Sequence, residues 1–174
     1  LTIGGGKSLR EHLEVLNHKE AIDYIQDVVS KEFDLSERVI RDLHHIILKS
    51  IDNSNAGVYR KANVLISGSM HRPPEYFLVE DKMRELLDWY HENKQTMHPV
   101  KLAALFHFKY VYIHPFIDGN GRSARLLMNL ILLRNGYPLT VIRTTDRVDY
   151  MSALEKASTT GNTDDFVEFI AQAV

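Results

Sequence analysis

The stretch whose reading decides the rest is His114-Pro115-Phe116-Ile117-Asp118-Gly119-Asn120-Gly121-Arg122-Ser123-Ala124-Arg125. It runs straight into an apolar helical segment, Leu126 to Leu133. A glycine-rich turn that opens a helix is a ready anion site, because the first helical N–H groups lack partners and the positive end of the helix dipole faces the same way. Gly119 and Gly121 allow a concave row of N–H donors and a close approach of ligand to backbone. Asn120 tolerates a left-handed conformation and adds a side-chain donor. Arg122 and Arg125 are three apart and share a helix face. Two guanidiniums beside such a nest suit a polyphosphate. Asp118, placed just before the turn, would repel phosphates unless a Mg²⁺ ion bridges them. His114 stands outside the nest and suits the removal of a proton from a hydroxyl near neutral pH. Phe116 is expected to anchor the loop in the core. A helix N-terminus with capping glycines and solvated arginines accounts for any one of these residues but not for the set. The set points to transfer of a phosphate-containing group from a nucleotide to a hydroxyl, driven by positioning and charge neutralisation.

The whole chain narrows the classes. Its 174 residues suit one domain with a proper core, and 44% apolar with 25% charged residues is ordinary for a globular protein. A formal net charge of −2 offers no general basic field for nucleic acid or membrane. With no cysteine, disulfide scaffolds, zinc–thiolate sites and thiol catalysis are excluded. No apolar run reaches the length of a membrane span, and no signal peptide is visible. The absence of cysteine and of a signal peptide suggests the cytoplasm. The first residue is Leu1 rather than Met, so a fragment is expected.

Working outward, the pattern is helical almost throughout. Gly6-Lys7-Ser8 invites a P-loop reading, but that motif needs a glycine where Leu1 stands and a strand before it. Ser8 reads better as a helix cap, with Glu11 completing a capping box. Val15, Ile22, Ile25 and Val29, with His18 in line, predict one buried stripe to about Lys31. A second helix is predicted from Ser36 to about Ile51 with Ile40, Leu43 and Ile47 inward. Its adjacent His44 and His45 point about 100° apart on a helix, so they do not ligate one ion together. Residues 53–74 read as a small hairpin or extended flap, with a β-prone run Asn63-Val64-Leu65-Ile66 and a Ser67-Gly68-Ser69 turn. On physics alone this flap is equally a substrate contact or a connector. A third helix, about Pro74 to Asn93, carries Val79, Met83, Leu86 and Tyr90. Pro99 opens a nearly all-apolar, central helix to Ile113, with His107 packed on it. After the motif, Gly136 sits where a C′ glycine belongs, and Leu139 to Ile142 reads as a brief extended piece. Helices capped by Asp146 and Thr163 close the chain. The expected architecture is an all-α bundle with a short β-hairpin flap, one domain over 1–174, with N-terminal helices over 1–56 and the flap and motif over 57–174.

The motif matches H-x-F-x-[DE]-G-N-G-R-x-x-R at His114, Phe116, Asp118, Gly119, Asn120, Gly121, Arg122 and Arg125, and here the chain resembles the Fic (Fic/Doc) family. The likeness extends to Tyr59-Arg60 and the flap, His98-Pro99, Leu126-Leu127-Met128-Asn129 and Gly136-Tyr137-Pro138, covering roughly 57–174. Within the family the pattern resembles that of AMP-transferases related to the animal enzyme that modifies an Hsp70 chaperone. The resemblance implies a helical Fic fold and transfer of AMP from ATP to a Ser, Thr or Tyr hydroxyl of a protein, with release of pyrophosphate. It implies His114 as general base and Asp118 as Mg²⁺ ligand. Gly119, Asn120, Gly121 and Arg122 would cradle phosphates, Arg125 would hold the γ-phosphate, and Tyr150 would line the adenine pocket. The flap, around Val64, Leu65 and Ile66, would pair with the target's backbone. Other donors, removal of AMP, or a non-catalytic nucleotide-binding module are the alternatives. The partners implied are ATP and a protein target, self-modification included. Oligomeric state stays open, a homodimer included.

Two departures stand out. Where relatives place a base-contacting Asn near Ser158, this chain reads Ala157-Ser158-Thr159-Thr160-Gly161-Asn162. The inhibitory pattern [ST]-x-x-x-E-[GN], whose glutamate pairs with the arginine matching Arg125, is found nowhere. The lead Thr2 to His12 resembles the stretch just after that helix in members with N-terminal inhibition, so the inhibitory segment is expected to lie outside this chain.

Overall fold

In a computed structural model of the chain, which describes residues 2–3 and 6–174, the apolar run after Pro99 becomes the axis of the molecule. Pro99 supplies a pre-set φ at the first turn, and His98 Nδ1 accepts the Val100 N–H at 3.2 Å. The resulting helix α4 (Pro99–Ile113) buries Leu102, Ala103, Ala104, Phe106, His107, Tyr110 and Ile113. Six further helices surround it: α1 (Leu9–Ser30), α2 (Glu37–Leu48), α3 (Val79–Asn93), α5 (Asn120–Arg134), α6 (Arg147–Thr160) and α7 (Asp164–Ala173). Short 3₁₀ turns at Tyr76–Leu78 and Thr144–Asp146 lead into α3 and α6. The α4–α5 pair forms the centre, with α1 and α2 against α5, α3 against α4, and α6 and α7 closing the far side of α4. The helical architecture agrees with the expectation.

Local chemistry sets most of the boundaries. Ser8 and Ser36 accept the N–H groups of Glu11 and Val39, capping α1 and α2. Gly136 and Gly161 take positive φ just past α5 and α6. Val79, Met83, Leu86 and Tyr90 form the buried face of α3, as their spacing predicts.

Two expectations differ. The inner face of α1 is Asn17, Ala21, Ile25 and Val28, while Val15 is exposed and Ile22 and Val29 are only partly covered. The face turns because Asn17 is buried as a polar staple, its Nδ2 donating to the carbonyls of Ile47 and Lys49 at the end of α2. The flap is extended but forms no strand ladder. Val64 and Ile66 are half-buried, Leu65 points outward, and the one main-chain bond at its turn runs from Ser69 N–H to Ile66 C=O. Two anchored ends, rather than cross-strand bonds, hold it. A two-residue antiparallel ladder, Thr2–Ile3 with Lys7–Ser8, precedes α1. Leu1, Gly4 and Gly5 of the glycine-rich lead lie outside the described residues.

Candidate active site

The turn between α4 and α5 brings the motif together. Gly119, at φ +78°, is the left-handed residue before α5, and no side chain caps that helix end. The N–H groups of its first turn are therefore available to a ligand. Asn120 departs from the expectation. It already belongs to α5 and is 2% exposed. Its Oδ1 accepts from Phe116 N–H and its Nδ2 donates to Phe116 C=O, so only its backbone is left for the nest. Phe116 is fully buried, as expected, and its ring stacks on His44 with centroids 3.6 Å apart.

His44 is the residue that sequence reasoning undervalued. Its Nδ1 accepts the Gly57 N–H at 2.9 Å, so the proton resides on Nε2, which donates to the Asp118 carbonyl at 2.7 Å. Burial pushes its pKa down to about 4. A neutral imidazole of fixed tautomer thus sets the backbone just before the nest. The adjacent-histidine pattern holds no sign of this role.

His114 terminates α4 in a left-handed conformation, φ 53°, ψ 62°. That is costly for a residue with a Cβ. Arg60, 3% exposed, compensates: its guanidinium donates to the carbonyls of His114 (2.7 Å), Ala62 (3.0 Å), Ile113 (3.2 Å) and Pro74. A buried cation with no carboxylate partner among the described residues is thereby satisfied by four carbonyls. Burial first, then the Arg60 charge, push the His114 pKa down to about 4, against weaker opposing effects of the Val111 backbone and Asp118. Its Nδ1 makes no hydrogen bond of normal geometry. The ring is neutral at pH 7 and keeps a lone pair for a proton.

A cavity of about 220 Å³ collects His114, Gly121, Arg125, Tyr150, Ile66 and Ser158. A second, of about 120 Å³, shares Arg125, Arg147 and Tyr150. Arg147, at the start of α6, is a third guanidinium that no motif in the sequence marked. Tyr150 is 2% exposed, and its hydroxyl meets His107 Nε2 at 2.6 Å. Among the described residues, Arg125 has no carboxylate partner.

Asp118 and Arg122 face the α1 side instead. Asp118 accepts from Gly119 N–H at 2.8 Å and from Arg10 at 2.8 Å, and lies 3.6 Å from Arg122. Glu14 lies 4.0 Å from Arg122. Val64 and Leu65 do not line the cavity; of the three flap residues only Ile66 does. A larger groove of about 450 Å³ between α3 and α4, lined by Trp89 and Lys109, holds none of the motif. Among the described residues no three His, Cys, Asp or Glu gather as a metal cage, and no helix is long and apolar enough to cross a membrane.

A model of the Fic/DOC family matches residues 34–132. The chain is similar to Protein adenylyltransferase Fic of Nematostella vectensis, 41% identical over 169 residues, covering 96% of this chain and 39% of that protein. Its counterpart from Drosophila melanogaster is 40% identical over 167 residues, covering 95% of this chain and 33% of that protein. The solved structure of Fic-1 from C. elegans superposes with a TM-score of 0.89 at 34% identity, over 99% of this chain and 51% of that one. The chain therefore spans about two fifths or less of the length of these curated relatives.

Proposed function

The chain belongs to the Fic/DOC family, and from that premise we propose that it transfers AMP from ATP to a Ser, Thr or Tyr hydroxyl of a target protein, with release of pyrophosphate. The observation that carries the reading is the shared cavity, in which the neutral His114 and Arg125 face one space beside the uncapped start of α5. His114 takes the proton as the hydroxyl oxygen attacks the α-phosphorus, and the bond to pyrophosphate breaks. The backbone of Gly119 to Arg122, with Arg125, holds the phosphate charge where it develops, and Arg122 would join them by turning from Glu14 and Asp118. Tyr150 and Ser158 line the cavity where the base would lie. Val64 to Ile66 offer an extended edge to an acceptor strand.

The half-exposed carboxylate of Asp118 fits Mg²⁺, which takes one or two carboxylates together with phosphate oxygens and waters. Asp118 would hold the ion once Arg10 gives way, and the ion would draw charge from the phosphates.

Incubation with α-labelled ATP, Mg²⁺ and a lysate tests the reading. Labelled protein is expected, and His114→Ala should reduce the label by about 10²–10⁴-fold, the usual contribution of a general base. If His114→Ala labels as well as wild type, the mechanism is wrong. Tight ATP binding without transfer to any protein would favour a nucleotide-binding module instead. Thermal shifts with ATP, GTP and UTP rank the donors, since ligands stabilise the folded state by mass action.

A further inference from the structure

The flap has almost no main-chain hydrogen bonds of its own, yet it has a defined path, so something outside it fixes its tip. Glu155, on α6, does this with both carboxylate oxygens. Oε1 accepts the Met70 N–H at 2.8 Å and Oε2 accepts the Ser69 hydroxyl at 2.5 Å, across more than eighty residues of chain. Ser69 Oγ in turn accepts the His71 N–H at 3.0 Å. His71 continues the line, its Nε2 lying 2.9 Å from the Tyr112 carbonyl and its ring tilted 33° against Tyr112 with centroids 4.0 Å apart. Among the described residues, Glu155 provides the hydrogen bonds from α6 to the flap.

Both ends of this clasp matter for the site. Glu155, Ser69, Gly68 and Ile66 all line the cavity that holds His114 and Arg125. The clasp therefore forms the rim between the cavity and the extended run Val64 to Ile66. Taken with the transferase reading, on which this inference rests, we propose that Glu155 is a positioning residue for the acceptor: it holds the flap tip so that an added strand presents its hydroxyl to the cavity. A carboxylate suits the task because it is an acceptor only and takes an N–H and an O–H at once. The two bonds also hold its pKa below the usual carboxylate range, the Ser69 hydroxyl first. Glu155 contacts no other charged side chain in a salt bridge among the described residues.

The alternatives predict different behaviour in variants. A residue that only contacts the base would lower nucleotide affinity when removed and leave the flap untouched. A purely structural residue would lower stability without separating acceptor from nucleotide. The test compares wild type, Glu155→Ala and Glu155→Gln in three measurements: hydrogen exchange at the Met70 amide, the Kd for ATP with Mg²⁺ by calorimetry, and transfer of α-labelled AMP to lysate proteins. Glu155→Ala should speed Met70 exchange by about tenfold, the loss of one hydrogen bond to a charged acceptor. It should leave ATP affinity within about threefold while label transfer falls at least about tenfold, as expected when only orientation is lost. Glu155→Gln should recover part of both, since its amide oxygen still accepts from Met70 and its NH₂ can donate to Ser69. Unchanged Met70 exchange overturns the clasp. A fall in ATP affinity as large as the fall in transfer assigns Glu155 to the base and overturns the acceptor role. If wild type labels no protein, the transferase reading fails and the acceptor role fails with it, while Met70 exchange still decides whether the clasp exists.

Discussion

His44 shows what a single side chain can settle. Two bonds of opposite sense, one accepted from Gly57 and one donated to Asp118, leave only one productive tautomer. His44→Phe would keep the stack on Phe116 but orphan a half-buried N–H and a half-buried carbonyl. It should cost about 2–3 kcal/mol in urea unfolding, from two unsatisfied polar groups. Glycines nearby divide into two kinds. At Gly119 an added Cβ would meet His44 and Ile47 at ordinary contact distance, 3.4 Å, so Gly119→Ala should cost only the left-handed strain of about 1 kcal/mol. At Gly57 a Cβ would lie 2.9 Å from the Arg41 carbonyl, so Gly57→Ala should lower the urea midpoint further. At this scale the motif was legible as chemistry: His114, Gly121 and Arg125 meet at one cavity. The direction of the Asn120 side chain was not, because it depends on whether residue 120 precedes the helix or opens it. Arg147 was hidden too, since its approach to Arg125 is made by the placing of α6 and by no local spacing.

Among elements, the helices with one clean apolar face were legible from periodicity. On α2 and α3 the expected inward residues are the buried ones. On α1 the period misled because a polar residue, Asn17, occupies the buried face and apolar Val15 does not. The flap misled because its residues favour strands while, among the described residues, no neighbouring strand pairs with it. The helix pair α2 and α4 carries a pH liability. His44 on α2 and His107 on α4 are both fully buried, and burial lowers their pKa values to about 4 and about 3. For a base lowered in the folded state, the unfolded chain binds more protons between the two pKa values, so stability is full above about pH 6.5 and is lost as pH falls. By pH 5 each should have removed about 2 kcal/mol. Urea unfolding at pH 7, 6 and 5 measures the slope, and His107→Gln, which does not titrate, should make it shallower.

For the molecule as a whole, one carboxylate ties α3 and α5 to the α1–α2 connection at the end opposite the nest. Asp34, between α1 and α2, accepts from Tyr90 at 3.1 Å and from the Leu35 N–H at 2.8 Å, pairs with Lys94 beyond α3, and lies 3.7 Å from Arg134 of α5. Burial opposes its ionisation, but the Lys94 bond, the Leu35 bond and Arg134 together hold its pKa below the usual value. Asp34→Asn should cost about 1–3 kcal/mol in urea unfolding, as loss of a charged acceptor does. It should leave the ATP Kd unchanged, because nothing in the cluster reaches the cavity. A change in ATP affinity would show that the two ends are energetically linked.

Arg60 binds Ala62 and Pro74 with the same guanidinium. The two feet of the flap are therefore held at one fixed separation, whatever lies between them. Residues inserted between these feet and the Glu155 clasp at Ser69 and Met70 would lengthen a loop whose ends are already closed, and loop entropy grows only slowly with length. The loop can change in length while the backbone of His114, tied to the same cation, keeps its place.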